Sequence, residues 1–420
     1  VGAGIFALPA AVAAILGPAA ILAYLVCGLA IALVLVCFAE IGTQVTRSGG
    51  TVAYIEDSFG PMAGFLAWVV YSLGFCVASN AAVATVLVGA LGSAVPALGA
   101  GAGKVAVLVA LYGVLAAVNI LGVRIGARVT VATTVAKLLP LLVLLGAGFL
   151  LAMRWDALRW TAWPTPGQIG EASLLLFFAF SGAEAAVTPS GEIVNPARTI
   201  PRGLLGGTAF VILLYVAVQL VSQGVLGERL TGHAQAPLAD VAAFVFGAAG
   251  RGLVIACTTL ATLGLLVGDL LATPRSFLPI AEDGMLPAAM ASVNEKYRTP
   301  HVAIIAYASA SCLFAISGAF KPLAILASVS LLLVYLAICL AALKLRLTRD
   351  LPPGAFRAPG GPLVPVLGAM TVVWLLAHST RGEAVGMAIA VGTAASYYLV
   401  RRQRVRGRAS RDIAQPEEGA

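Results

Sequence analysis

Charge is scarce in this chain: 10% of its 420 residues are Asp, Glu, Lys or Arg, against 60% hydrophobic, and the mean hydropathy is +0.99. A soluble domain is roughly 25% charged and about 45–50% apolar. A fold of this size could not keep so much apolar surface from water. The shortage excludes a soluble enzyme, a disordered chain, a collagen-like fibre and a nucleic-acid-binding domain. Histidine is scarcer still. His233, His301 and His378 lie at or near the ends of apolar runs and form no metal-ligand constellation. Six cysteines (Cys27, Cys37, Cys76, Cys257, Cys312 and Cys339) lie in apolar runs without a CxxC pair. They read as small buried hydrophobes, so disulfides and zinc are not expected. Also missing are the alternating pattern of a β-barrel and any nucleophile–base pair. A membrane enzyme is therefore disfavoured, and no cofactor is expected.

What the chain does have is apolar runs long enough to cross a bilayer, recurring from end to end rather than once as a signal peptide. They fall near residues 1–16, 19–43, 62–92, 104–121, 127–153, 171–190, 204–226, 251–274, 302–318, 322–344, 363–379 and 383–401. The expectation is an all-α integral membrane protein with twelve spans. The first run opens at Val1 and is too short to cross alone, so it reads as the outer part of a longer span. With the N-terminal side placed in the cytoplasm, the inner connections hold 18 Lys and Arg and the outer connections seven. Without the arginine-rich residues 402–420 and the neighbouring Arg401, the split is still 12 to 7. The positive-inside rule then puts both termini in the cytoplasm, in a membrane read as the bacterial cytoplasmic membrane. The basic tail reads as an orientation signal and a contact for anionic lipid.

Two spans should not be continuous helices. The first begins Gly2-Ala3-Gly4-Ile5-Phe6, with Pro9 close behind; the sixth reads Phe178-Ala179-Phe180-Ser181-Gly182-Ala183-Glu184, followed by Pro189. Glycine weakens a helix by about 1 kcal/mol, and proline removes a backbone donor. Each break opens a set of five spans, residues 1–153 and 171–344. Five is odd, so the second set must enter the membrane in the opposite sense. Paired interrupted segments point to the binding site of a secondary transporter. The half-helix after Gly4 offers N–H groups to a carboxylate, and carbonyls at the other break offer acceptors to an ammonium group. Together they suit a zwitterion, hence an α-amino acid. Close packing of glycine is the competing explanation for each break taken singly.

These residues resemble the amino acid–polyamine–organocation family of permeases. The glycine-rich first span carries the likeness, as do Ser48-Gly49-Gly50 through Tyr54, the segment Phe178 to Glu184, and Glu192 with Asn195-Pro196. Arg275 with Glu282-Asp283-Gly284-Met285-Leu286-Pro287 completes it, Glu282 standing where the family usually has arginine. The resemblance implies a leucine-transporter-type fold of two inverted five-helix repeats, followed by accessory helices at 363–401 and the tail 402–420. It implies a substrate site at Gly2, Ala3, Gly4, Ile5, Phe178, Ala179, Phe180, Ser181 and Gly182. It also implies that Lys137, in the fifth span, stands where sodium-coupled relatives hold a cation.

Ionisable residues at bilayer depth are functional candidates by default. Lys137 could equally snorkel to the cytoplasmic face. Asp269, in the eighth span, would offset its burial by pairing with Lys137, or could reach a polar cytoplasmic mouth. Glu184 matches an acid of proton-sensing exchangers in the family, or caps the second half-helix. Glu40, at the end of the second span, could pair with a loop arginine but reads first as solvated. Asn80, Asn119, Thr258 and Thr259 read as interhelical hydrogen-bonding residues. The resulting expectation is sodium-independent amino-acid transport, proton-coupled or by exchange, with Lys137, Glu184 and Asp269 in coupling or gating. The expected partners are a small amino acid, protons and lipid, with no nucleic acid. A sodium symporter of the same fold, a channel or a sensor are the alternatives. Substrate identity and oligomeric state stay open.

Overall fold

Each of the twelve apolar runs carries a helix in the computed structural model, which describes residues 4–45, 49–122, 127–160, 162–187, 193, 195–232, 236–348 and 355–414. The side chains of residues 127–137 and 404–414 lie outside that description. In chain order the helices are α1 Gly4–Leu16, α2 Ile21–Gln44, α3 Gly50–Phe59, α4 Pro61–Trp68 and α5 Val77–Ala94. Then come α6 Gly101–Ile120, α7 Ala127–Leu151, α8 Pro166–Phe180, α9 Pro196–Leu226 and α10 Pro237–Ala272. The last five are α11 Phe277–Glu282, α12 His301–Ser317, α13 Phe320–Thr348, α14 Leu363–Leu376 and α15 Arg381–Ala414. Seven helical stretches are long and apolar enough to span a membrane by length and composition. The protein is an all-α, multi-pass membrane bundle.

Local chemistry explains the helix boundaries. Thr165 accepts from the Gln168 backbone while the Gln168 side chain accepts from the Thr165 backbone, a capping box that starts α8. Asn195 sits in the left-handed region at φ 52°, which asparagine tolerates, and Pro196 opens α9 where a helix needs no donor. Between α4 and α5 the third span winds as a π-helix over Val69–Cys76, a geometry that often marks functional sites. Gly247, at φ 70°, kinks α10.

Several boundaries differ from the hydropathy reading. The connection 44–61 contains the amphipathic α3, because a ten-residue helix is too short and too polar to register as a span. The sixth run, read to residue 190, leaves the α-helix at Phe180 and continues as a 3-10 turn over Ala183–Val187. The seventh and eighth helices start well before their apolar cores.

α2 is central, packing on α8, α9, α13 and α14. α1 packs on α8, α9 and α10; α5 on α10, α12 and α13; α6 on α10 and α12; α7 on α9 and α10. Buried polar side chains tie the centre together, as interhelical hydrogen bonds do where lipid cannot replace them. Tyr24 of α2 donates to Gln219 of α9 at 2.9 Å, and Gln219 donates to the Pro9 carbonyl of α1 at 3.4 Å. The Cys27 thiol donates to the Ser173 carbonyl of α8. All six cysteines are free, five of them buried, as small hydrophobes should be. Large apolar side chains such as Leu150, Leu213, Leu260 and Leu313 face outward, which suits lipid and would be a liability in water.

Candidate functional site

Gly4 and the end of α8 meet in the middle of the bundle. A methyl group at Gly4 would stand 3.0 Å from Phe178 Cδ1 and 3.1 Å from Ala179 Cα, so only glycine permits this approach. Gly2 and Ala3 lie outside the described residues. Ile5 follows Gly4 in the first turn of α1 and is fully buried.

α8 stops because Ser181 turns extended and Gly182 takes φ 106°, a conformation that L side chains resist. The Ser181 hydroxyl donates to the Phe178 carbonyl at 2.7 Å, and Tyr215 of α9 donates to the Ala179 carbonyl at 3.1 Å. Two of the carbonyls freed at the helix end are thus already satisfied. The Cβ position of Gly182 meets open space. That space is a cavity of about 380 Å³, within the range of small-molecule sites. Its walls are Ala179, Phe180, Ser181, Gly182 and Ala183 at the break, Gly207, Thr208 and Tyr215 of α9, Ile31 of α2 and Leu265 of α10.

The two phenylalanines part company. Phe180 lines the cavity with its ring 5.1 Å from that of Tyr215, whereas Phe178 leans over Gly4 and packs edge-on against Phe320 at the start of α13. Glu184, 1% exposed, folds back on the break. Its Oε2 accepts from the Gly182 N–H at 2.9 Å and from the Tyr335 hydroxyl of α13 at 2.6 Å. The carboxylate thus holds the turn that a helix cap would otherwise hold.

Asp269 lies on the other side of the π-helical segment. Its Oδ2 accepts from Asn80 Nδ2 at 2.6 Å and from the Tyr307 hydroxyl at 2.5 Å, and its Oδ1 accepts from Thr273 at 2.8 Å. Tyr112 donates to Asn80 Oδ1 at 2.7 Å. Lys137 is on α7, which packs along α10, but its side chain lies outside the described residues, as does its expected pairing with Asp269.

Some polar residues do other work than their sequence context suggests. Glu40 is not solvated: it is fully buried and paired with Arg346 of α13, because α13 crosses α2 there and residues 356–358 cover the contact. Asn80 does bridge helices, but Asn119 and Thr258 bond carbonyls four residues back on their own helices. The tyrosines Tyr112, Tyr215, Tyr307 and Tyr335 escaped notice. The usable signal was that a phenol deep in an apolar run needs a partner. Among the described residues no group of His, Cys, Asp or Glu could hold a metal ion.

Known transporters resemble this chain in sequence. The chain is 27% identical to the serine/threonine exchanger SteT of Bacillus subtilis (strain 168) over 427 residues, covering 96% of this chain and 94% of the relative. It is 26% identical to the branched-chain amino acid permease BcaP of the same organism, covering 90% and 84%. It is 27% identical to a methylthioribose transporter, also from that organism, covering 96% and 90%. The sequence profile described as "Amino acid permease" matches residues 1–394. These relatives are transporters that match over nearly their whole length, and the protein is a membrane carrier of small solutes. It belongs to the amino acid permease family, within the amino acid–polyamine–organocation superfamily.

Proposed function

We propose that this chain moves neutral α-amino acids across the membrane by alternating access, proton-coupled or by exchange, without sodium. The observation that carries this reading is the unwound Ser181–Gly182 pair, which opens onto a cavity of substrate size just after the part of α8 that packs on Gly4. The α1 N-terminus suits a carboxylate, and the Phe180 and Ser181 backbone on the cavity wall suits an ammonium group. Alanine, serine and phenylalanine around them leave no fixed charge for a charged side chain. Two relatives, an exchanger of serine and threonine and a permease of branched-chain amino acids, lean the same way.

The packing supports two inverted repeats over residues 1–153 and 171–344, with α14 and α15 accessory. Exchange α1 with α8, α2 with α9, the third span with α10, α6 with α12 and α7 with α13. The pairs α1–α8, α2–α9, α5–α10 and α6–α12 then map onto themselves. α7–α10 maps onto α5–α13, α5–α12 onto α6–α10, α2–α8 onto α1–α9, and α2–α13 onto α7–α9. The α8–α13, α1–α10, α9–α10 and α1–α5 contacts have no counterpart of comparable extent among the described residues.

The deciding experiment is uptake of a panel of labelled amino acids into proteoliposomes, with and without sodium. Uptake of neutral amino acids in sodium-free buffer is the expected result; a steep sodium requirement would favour the symporter reading, and no uptake of any amino acid would overturn the proposal. In the same assay Lys137→Ala should lose transport while retaining part of its substrate binding, since a fixed ammonium group would do the work of a bound cation. Full activity in that variant sinks the role. Phe180→Ala should weaken apparent affinity about tenfold, the scale of roughly 1–3 kcal/mol for one apolar pocket contact. Phe178→Ala should chiefly loosen the α1–α8–α13 contact. Wild-type kinetics in both variants would remove both rings from the substrate site.

A further inference from the structure

Three carboxyl groups inside the bundle are held by side chains from other helices, and they are held in two different ways. Glu40 faces a guanidinium: Arg346 donates from both Nε and a terminal nitrogen. Arginine has no acceptor and does not give up its proton, so that pair has only one satisfied state. Asp269 and Glu184 have no cation partner among the described residues. Asp269 is surrounded by an amide and two hydroxyls.

A hydroxyl can donate or accept. As an anion, Asp269 accepts three hydrogen bonds, from Asn80, Tyr307 and Thr273. With a proton on Oδ2 it can donate to the Tyr307 oxygen, and with a proton on Oδ1 to the Thr273 oxygen, without any heavy atom moving. Asn80 stays a donor throughout, because Tyr112 occupies its carbonyl oxygen. The carboxyl group itself thus keeps hydrogen bonds in both protonation states. Four elements contribute to it: α5, α6, α10 and α12.

The surroundings add no compensating charge. Tyr71 and Cys76 of the π-helical segment lie within electrostatic range of Asp269, and beyond them lies Glu184. Tyr112 and Tyr307 face it from α6 and α12. α1 carries no ionisable side chain over Gly4–Leu16, and the hydrogen bonds of Asp269 come from Asn80, Tyr307 and Thr273. Lys137, on α7, has its side chain outside the described residues. Asp269 keeps some exposed surface, whereas Glu184 is closed off.

We propose that Asp269 is a proton-binding site of this transporter, separate from the helix break, with Tyr307 and Thr273 as reversible hydrogen-bond partners and Asn80 as the fixed donor. The proton comes from water on one side and returns to water on the other, with no other bond made or broken. Because α10 packs on both α1 and α5, loading the site changes the balance between arrangements of these helices. That last step rests on the transport reading above; the proton site itself does not.

The test is pH-difference infrared spectroscopy of the purified protein, following the carbonyl stretch of protonated carboxyl groups. A band that appears on acidification should vanish in Asp269→Asn and persist in Glu184→Gln. Tyr307→Phe, which removes one hydroxyl and no charge, should shift the midpoint of that band. Difference spectra in Asp269→Asn identical to wild type would overturn the proposal. Should Asp269→Asn not yield folded protein, an unshifted midpoint in Tyr307→Phe would overturn it instead. This readout needs no substrate, so it stands even if amino acids prove not to be the cargo. The amino-acid panel, conversely, stands if Asp269 never titrates.

Discussion

Arg346→Ala should cost this protein about 3–5 kcal/mol of stability, the scale for removing one partner of a buried ion pair. Glu40 and the Arg346 side chain are 1% and 4% exposed, and the pair is one knot in a larger contact. Arg346 also donates to the Ala358 carbonyl at 3.2 Å. The Ala358 N–H donates to Glu40 at 3.2 Å, and the Phe356 N–H donates to Thr43 at 3.2 Å. Alanine at 346 would leave Glu40 charged and unpaired between α2, α13 and the segment leading to α14. Replacing both partners with apolar residues of similar volume should be far milder, because no orphan charge remains. A thiol-reactive dye during thermal unfolding measures this directly, since the six free cysteines become reactive as the helices part. Equal midpoints for Arg346→Ala and wild type would show that the pair contributes nothing.

Gly182→Val should abolish most transport and leave the unfolding midpoint nearly unchanged. The Cβ position there meets open space, so no clash penalises the substitution. The cost is in the backbone: φ 106° is strained for any residue with a side chain and worst for a β-branched one. Strain of about 1–3 kcal/mol would re-form the break in another geometry, moving the Gly182 N–H away from Glu184 and reshaping the cavity wall. At ~1.4 kcal/mol per factor of ten, uptake should fall about 10–100-fold. Gly4→Ala makes the contrast. Its methyl group would press on Phe178 and Ala179, so stability and transport should fall together. Wild-type uptake in Gly182→Val would show that the break is not part of the carrier's working surface.

The twelve helices were legible in hydropathy because a lipid-facing or buried helix is apolar along its length, a property each segment carries by itself. The break at Ser181–Gly182 was legible for the same reason: backbone preference is local. Helix ends were less so. The cap at Thr165 and the extension of α10 to Pro237 lie in polar or mixed sequence that hydropathy does not see. Phe180, Gly182 and Glu184 stand at the break of the sixth span, the break expected at Gly2–Gly4 reaching outside the described residues, and Tyr215 and Tyr335, which hold the two sides of the first, come from other helices.

Composition and local pattern alone determined that this is a membrane-spanning all-α protein, where its helices lie, and that one of them must break at Gly182. Only the tertiary structure decided which polar groups answer one another. Glu40 meets Arg346 across 306 positions of chain, and Asp269 meets Asn80 across 189. No local property of Glu40 distinguishes it from an acid that ends its span in water. The difference is the crossing of α13 over α2, which removes the water and supplies the cation. Asp269 was a coupling candidate from its depth in an apolar run, but the hydroxyls and the amide around it came only with packing. A carboxyl group's chemistry depends on its neighbours, and in a helical bundle those neighbours come from distant parts of the chain.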